Sequence, residues 1–132
     1  MKIKFNVTHI DSGEEYIYED TKVLDNKEVV LNPNKTYILH ISYPLSTTAK
    51  FTLNTGKNGI TRGGLVKKIC DLYKKIYEIE DNTSDVEPVN IPGMLNRITT
   101  DGKFGIWGHH IGDLVLVNAT VSKEKITLGV DS

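Results

Sequence analysis

The chain's single tryptophan, Trp107, stands just ahead of two adjacent histidines, His109 and His110, and an aspartate, Asp113. Four glycines punctuate residues 101–117, and a continuous apolar run follows Asp113. A histidine and an aspartate three or four positions apart suit two kinds of chemistry. The carboxylate can orient an imidazole for acid–base work, or both can ligate a divalent metal. A protein metal site normally takes three or four ligands. The other histidines, His9 and His40, fall on predicted strands and reach His109 only under particular strand orders. No nucleophile motif such as G-x-S-x-G accompanies the pair. Neither a metal nor a cofactor is therefore expected. The same residues also read as a tryptophan-centred core corner, with Asp113 capping a turn, one histidine packed and the other solvated.

A second constellation occupies residues 54–64, NTGKNGITRGG, just ahead of a helical pattern. Lys57, Thr61 and Arg62 on a glycine-rich backbone resemble an anion cradle, because free N–H groups and the helix dipole both attract phosphate. The spacing departs from G-x-x-x-x-G-K-[ST], so no nucleotide hydrolysis follows. Arg62 in the first helical turn opposes the dipole, a conflict that a bound anion or a nearby carboxylate relieves. The alternative is a glycine-rich turn between strand and helix. Cys70, the lone cysteine, sits on the helix's apolar stripe and reads as buried filler; alone, it allows no intramolecular disulfide.

Charge is segregated along the chain. Seven bases lie between Lys50 and Lys75 against the single acid Asp71, and five acids with no base lie between Ile76 and Glu87. The basic stretch could meet nucleic-acid phosphate, and the acidic stretch could meet the basic stretch of another copy. Each also reads as a solvated helix face. A net charge of −1 argues against wholesale nucleic-acid coating. Residue composition is that of an ordinary globular domain, and no apolar run is long enough to span a membrane. The first ten residues alternate rather than form a signal-peptide block, so a non-secreted protein of the cytoplasm or nucleus is expected.

These residues must be positioned by the surrounding elements. Ile3, Phe5 and Val7 alternate with polar neighbours as in a half-buried strand. Residues 16–18 read as a partner strand beyond the Asp11-Ser12-Gly13 turn. Residues 28–31 and 36–43 flank Asn32-Pro33-Asn34 as a hairpin, with Tyr37, Leu39, Ile41 and Tyr43 on one face and His40 on the other. Residues 50–54 continue with Phe51 and Leu53 inward. Thr61 reads as the N-cap of a helix over 61–80, with Leu65, Ile69, Leu72, Ile76 and Ile79 along its buried stripe. Val66, Cys70, Tyr73 and Tyr77 widen that stripe, and Lys67–Asp71 and Lys74–Glu78 are spaced for ion pairs on the opposite side. Residues 82–92 read as a polar connection, and Asp101-Gly102 as a hairpin turn. Residues 114–121 form a predicted central strand, and 125–130 a predicted outer one. The pattern predicts one α+β domain over residues 1–132, a mainly antiparallel sheet with one long amphipathic helix packed on one face.

Tyr43-Pro44-Leu45, Gly59-Ile60-Thr61, the helix running to Tyr77, and Gly105-Ile106-Trp107-Gly108-His109 with Asp113-Leu114-Val115-Leu116 together resemble a small, poorly characterised family of plants and of large DNA viruses of amoebae. The resemblance covers residues 41–117. That family brings no established reaction and so no catalytic residues. It implies a viral or plant origin and a non-secreted protein.

With no nucleophile, metal set or cofactor loop, the expected function is a non-enzymatic binding or assembly module that self-associates, most simply as a homodimer. The alternative is a small hydrolase-like acid–base enzyme using His109 or His110 with Asp113 beside Trp107. A further alternative is phosphate or nucleic-acid binding through Lys57, Thr61 and Arg62.

Overall fold

The computed structural model describes residues 1–7, 10, 18–19, 22–23, 25–85 and 99–131. Five strands form the main sheet: β1 (Lys2–Val7), β5 (Thr36–Ile41), β6 (Ala49–Asn54), β8 (Val115–Ser122) and β9 (Lys125–Asp131). Their order is β1-β8-β9-β5-β6, antiparallel throughout except for the parallel pair β5–β9. Two small sheets pair β2 (Tyr18–Glu19) with β3 (Lys22–Val23), and β4 (Val29–Leu31) with β7 (Ile60–Thr61). The helix α1 (Arg62–Thr83) starts directly after β7. This is the expected α+β architecture.

Side-chain alternation explains the layers. Ile3, Phe5 and Val7 on β1, Tyr37, Leu39 and Ile41 on β5, and Leu116, Ala119 and Ile126 on β8 and β9 are buried. They join Leu65, Val66, Ile69, Cys70, Tyr73, Ile76 and Tyr77 of α1 in one hydrophobic core. Leu72 and Ile79, at the border of the helical stripe, are only half-buried. The intervening strand residues, among them His40, Lys50, Thr120 and Lys125, face the other way. Gly129 belongs to that second face: a Cβ there would lie 2.6 Å from Asn118 Oδ1, so the glycine lets the cross-strand amide lie over it. On the solvated side of α1, Lys67 pairs with Asp71 at 3.6 Å, while no Lys74–Glu78 bridge forms. No described helix is long and apolar enough to cross a membrane.

Four expectations need correction. The Asn32-Pro33-Asn34 turn does not close a hairpin, because β4 leaves the main sheet to pair with β7 and so brings Glu28 beside the start of α1. Strand β5 ends at Ile41, and Tyr43 follows it in a turn whose Tyr43–Pro44 peptide is cis. Residues 125–131 are central rather than outer, lying between β8 and β5. Their alternation reflects one covered and one open sheet face, a pattern that central strands share with edge strands whenever only one face is packed. Asp101-Gly102 makes no two-residue hairpin; the turn widens into a loop closed by Thr100 N–H to Ile106 C=O at 2.9 Å. Of the predicted strand over 16–18 only Tyr18 is described, at the start of β2, which pairs with β3; most of the 82–92 connection lies outside the described residues.

Candidate functional site

Glu80 organises the loop that carries Trp107. It lies on the same helical face as Tyr73, Ile76 and Tyr77, fully buried, near the C-terminal end of α1. Its Oε2 accepts from the Thr100 hydroxyl at 2.6 Å and from Gly102 N–H at 2.8 Å. Its Oε1 accepts from Phe104 N–H at 2.8 Å and from Gly105 N–H at 3.2 Å. Four donors thus replace the water that burial removed, and no arginine or lysine is needed to hold the charge. Burial pushes the carboxyl's pKa upward, but the hydrogen bonds from Thr100, Phe104, Gly102 and Gly105 more than offset it and hold the group below its ordinary value. Gly102 is required by approach: a Cβ there would lie 2.7 Å from Glu80 Oε1. Around this anchor Ser84 and Asp101 exchange hydrogen bonds, and Lys103 N–H reaches the Thr83 hydroxyl at 2.9 Å.

From Phe104 onward the loop runs beside the segment that leads into β6. Phe104 and Gly105 carbonyls accept from Thr47 and Ser46 N–H, Ile106 bridges Leu45, and Trp107 N–H donates to Pro44 C=O at 3.0 Å. Gly105 and Gly108, at φ +66° and +76°, bracket Trp107 in a backbone course that L-residues rarely follow. The indole is 38% exposed and stands edge-on to the Tyr43 ring, 5.1 Å between centroids. His109 completes the cluster, its Nε2 2.8 Å from Tyr43 Oη and its ring 6.2 Å from the indole. Two helix tyrosines fix it from within: Tyr73 donates to Tyr43 C=O at 2.8 Å and Tyr77 to His109 C=O at 3.1 Å. Burial, with Tyr77 and Tyr43 nearby, pushes the Tyr73 phenol far above its usual pKa, so it acts only as a hydrogen-bonding hydroxyl. An open cleft of about 420 Å³ adjoins, lined by Tyr77, Ile111 and the polar side of α1.

The sequence-predicted site residues part company here. Asp113 Oδ2 accepts from the backbone N–H of His110 at 3.1 Å, in a capping box at the short 3-10 helix Ile111–Asp113. His109 turns to Tyr43 instead. His40 is on the sheet face opposite α1, away from His109, and His9 lies outside the described residues. Among the described residues no group of three His, Cys, Asp or Glu side chains is placed to hold a metal.

The anion cradle is already filled from within the chain. Arg62 is buried and its Nη1 binds Glu28 Oε2 at 2.9 Å and Asp25 C=O at 2.8 Å, so a carboxylate relieves its conflict with the helix dipole. The first helical N–H groups are also spoken for: Arg62 donates to Glu28 C=O, Gly63 to Asn26 C=O, and Gly64 to the Thr61 hydroxyl. Lys57 stays exposed in the preceding loop. The helix-start N–H groups and Arg62 Nη1 thus have partners within the chain, whereas the buried Arg62 Nε has no hydrogen-bond partner among the described residues.

Tyr43, Tyr73, Tyr77 and Glu80 were not among the sequence-predicted site residues. Glu80 left one legible signal: it continues the Tyr73–Ile76–Tyr77 stripe, so an acid stands where the helical period demands an apolar residue. The fold and site together define an α+β protein with a one-sided sheet and a braced aromatic patch at its surface. No family model, curated protein or solved structure matches the chain.

Proposed function

We propose that this chain is a non-enzymatic binding module that self-associates through the Trp107 patch. The observation that supports this reading is the exposure of a large indole held by structure rather than left loose. Its backbone is tied to Pro44, its ring to Tyr43, and its loop to the buried Glu80 carboxylate. A preorganised aromatic gives up little conformational entropy on binding, which is why tryptophan and tyrosine dominate interface energetics. Trp107, Tyr43 and His109 include no carboxylate, lysine or arginine. Two copies can therefore meet across a two-fold axis without like-charge repulsion, as an isologous contact requires. The acid–base alternative has less support, because His109 Nε2 is paired with Tyr43 Oη and Asp113 Oδ2 accepts from the His110 backbone.

The test uses the chain's single tryptophan as its own reporter. Trp107 emission should shift to the blue as concentration rises and the indole leaves water. Light scattering should give twice the monomer mass over the same range, and Trp107→Ala should restore the monomer. That substitution should cost about 1–2 kcal/mol in stability, less than a fully buried tryptophan, because the ring is already partly in water. A monomeric mass at every concentration with unchanged emission refutes the proposal.

A further inference from the structure

We propose that the free edge of β6 takes an extended acidic segment of a partner protein, added as a sixth strand in the groove between β6 and α1. The register fixes which backbone groups are available. Ile38 N–H points to β9, bonding Glu124 C=O, so Tyr37, Leu39 and Ile41 point to β6 and meet Leu53, Phe51 and Ala49. The backbone N–H and C=O groups of Lys50 and Thr52 therefore point outward, along the edge that has no partner strand among the described residues. Residues 104–107 cover only the preceding stretch, 44–47, and Lys103 turns back to the helix end. From Lys50 onward no described residue pairs with the edge.

Beside that edge is a cavity of about 350 Å³. Ala49, Phe51, Ile79 and Phe104 supply its apolar surface, while Lys50, Lys75 and Lys103 come to it from three separate parts of the chain. Among the described residues no carboxylate lines it, and none of the three lysines has an ion-pair partner. An added strand alternates its side chains between two faces. One set would lie over Phe51 and Ile79, with Lys75 and Lys103 beside it, and the other would stand next to Lys50 and Thr52 on the outer sheet face. Both faces favour carboxylates, and the first also takes apolar groups. A segment alternating apolar and acidic residues satisfies this surface. A basic segment meets repulsion on both sides. The site is separate from the Trp107 patch and does not rest on self-association there.

The probe is a fluorescent peptide as long as β6, alternating valine and glutamate, titrated into the intact chain and followed by anisotropy and amide NMR. We expect saturable binding, weakened by salt, with shifts in residues 49–54, around Lys75 and Ile79, and at Lys103 and Phe104. A valine–lysine peptide should not bind. Methylating alternate peptide nitrogens should weaken binding about tenfold or more, since the ladder bonds are lost. Thr52→Pro should do the same: it removes an outward N–H that the native sheet does not use, so the fold tolerates it. Lys75→Glu with Lys103→Glu should abolish binding. Trp107→Ala should leave it unchanged. Undiminished binding of the N-methylated peptide, shifts elsewhere, or no binding to the folded chain at millimolar peptide each overturns the proposal. So does a dimer that Thr52→Pro, and not Trp107→Ala, dissociates, because the edge then belongs to a second copy.

Discussion

Replacing Glu80 by glutamine tests whether one buried carboxylate holds the loop that displays Trp107. Glutamine matches the shape but presents one carbonyl oxygen and one NH2 group. If the oxygen keeps Phe104 and Gly105, the NH2 group opposes the Gly102 N–H, while the Thr100 hydroxyl can turn to the Ile106 C=O and accept from the amide. Flipping the amide is worse, since its NH2 group then opposes both the Phe104 and the Gly105 N–H. The bond from Gly102 to a charged group, worth ~1.5–3 kcal/mol, is lost with both groups left buried, and the other three become weaker neutral bonds. Part of that is returned because no charge has to be desolvated, leaving a net cost of about 3 kcal/mol. At a typical urea dependence this moves the unfolding midpoint down by about 1–2 M. Amide exchange should quicken at Gly102, Phe104 and Gly105 while the sheet amides keep their order of protection. Acid supplies an independent arm. Because the folded Glu80 pKa is lowered, its contribution is fully present above the unfolded value of 4.5 and is lost as pH falls through the folded value. The gap between native chain and Glu80→Gln should therefore close in acid. A glutamine variant within about 0.5 kcal/mol of the native chain, or a gap that stays constant through acid, would refute the reasoning.

Gly102→Ala should cost about 2 kcal/mol in denaturant melts, since the new methyl must displace Glu80 and Thr83 oxygens that are themselves hydrogen-bonded; an unchanged midpoint would mean the loop is not clamped to the helix. His40 should titrate below the ordinary histidine value in NMR, because partial desolvation and then the charges of Lys125 and Lys50 disfavour its protonated form. Its contribution to stability should accordingly fall as pH drops below 6.5, and Lys50→Gln should move the titration upward; a His40 midpoint at or above 6.5 would contradict the register that places it between the two lysines.

The periodic features were legible in the sequence because each needs only local repetition. Alternation at Ile3, Phe5 and Val7, and at Tyr37, Leu39 and Ile41, marked covered strand faces. The two stripes of α1 and the Thr61 cap marked the helix, its start and the burial of Cys70. The α+β class follows from those alone. What the sequence could not decide is which distant groups meet. Asn32-Pro33-Asn34 looks locally like a hairpin turn, yet β4 pairs with β7, and that pairing is what brings Glu28 onto Arg62 at the start of the helix. His109 and Asp113 have spacing suited to a catalytic pair, but spacing does not choose among partners; Tyr43, sixty-six positions away, takes the imidazole. Edge and centre are likewise invisible to alternation, since both present one dry and one wet face, and so β9 lies in the middle of the sheet and β6 at its rim. Glu80 falls between the two cases. Its place on an apolar stripe could be read from the sequence, but the four donors that make a buried charge tolerable come from a loop about twenty residues on, and only the folded chain brings them together.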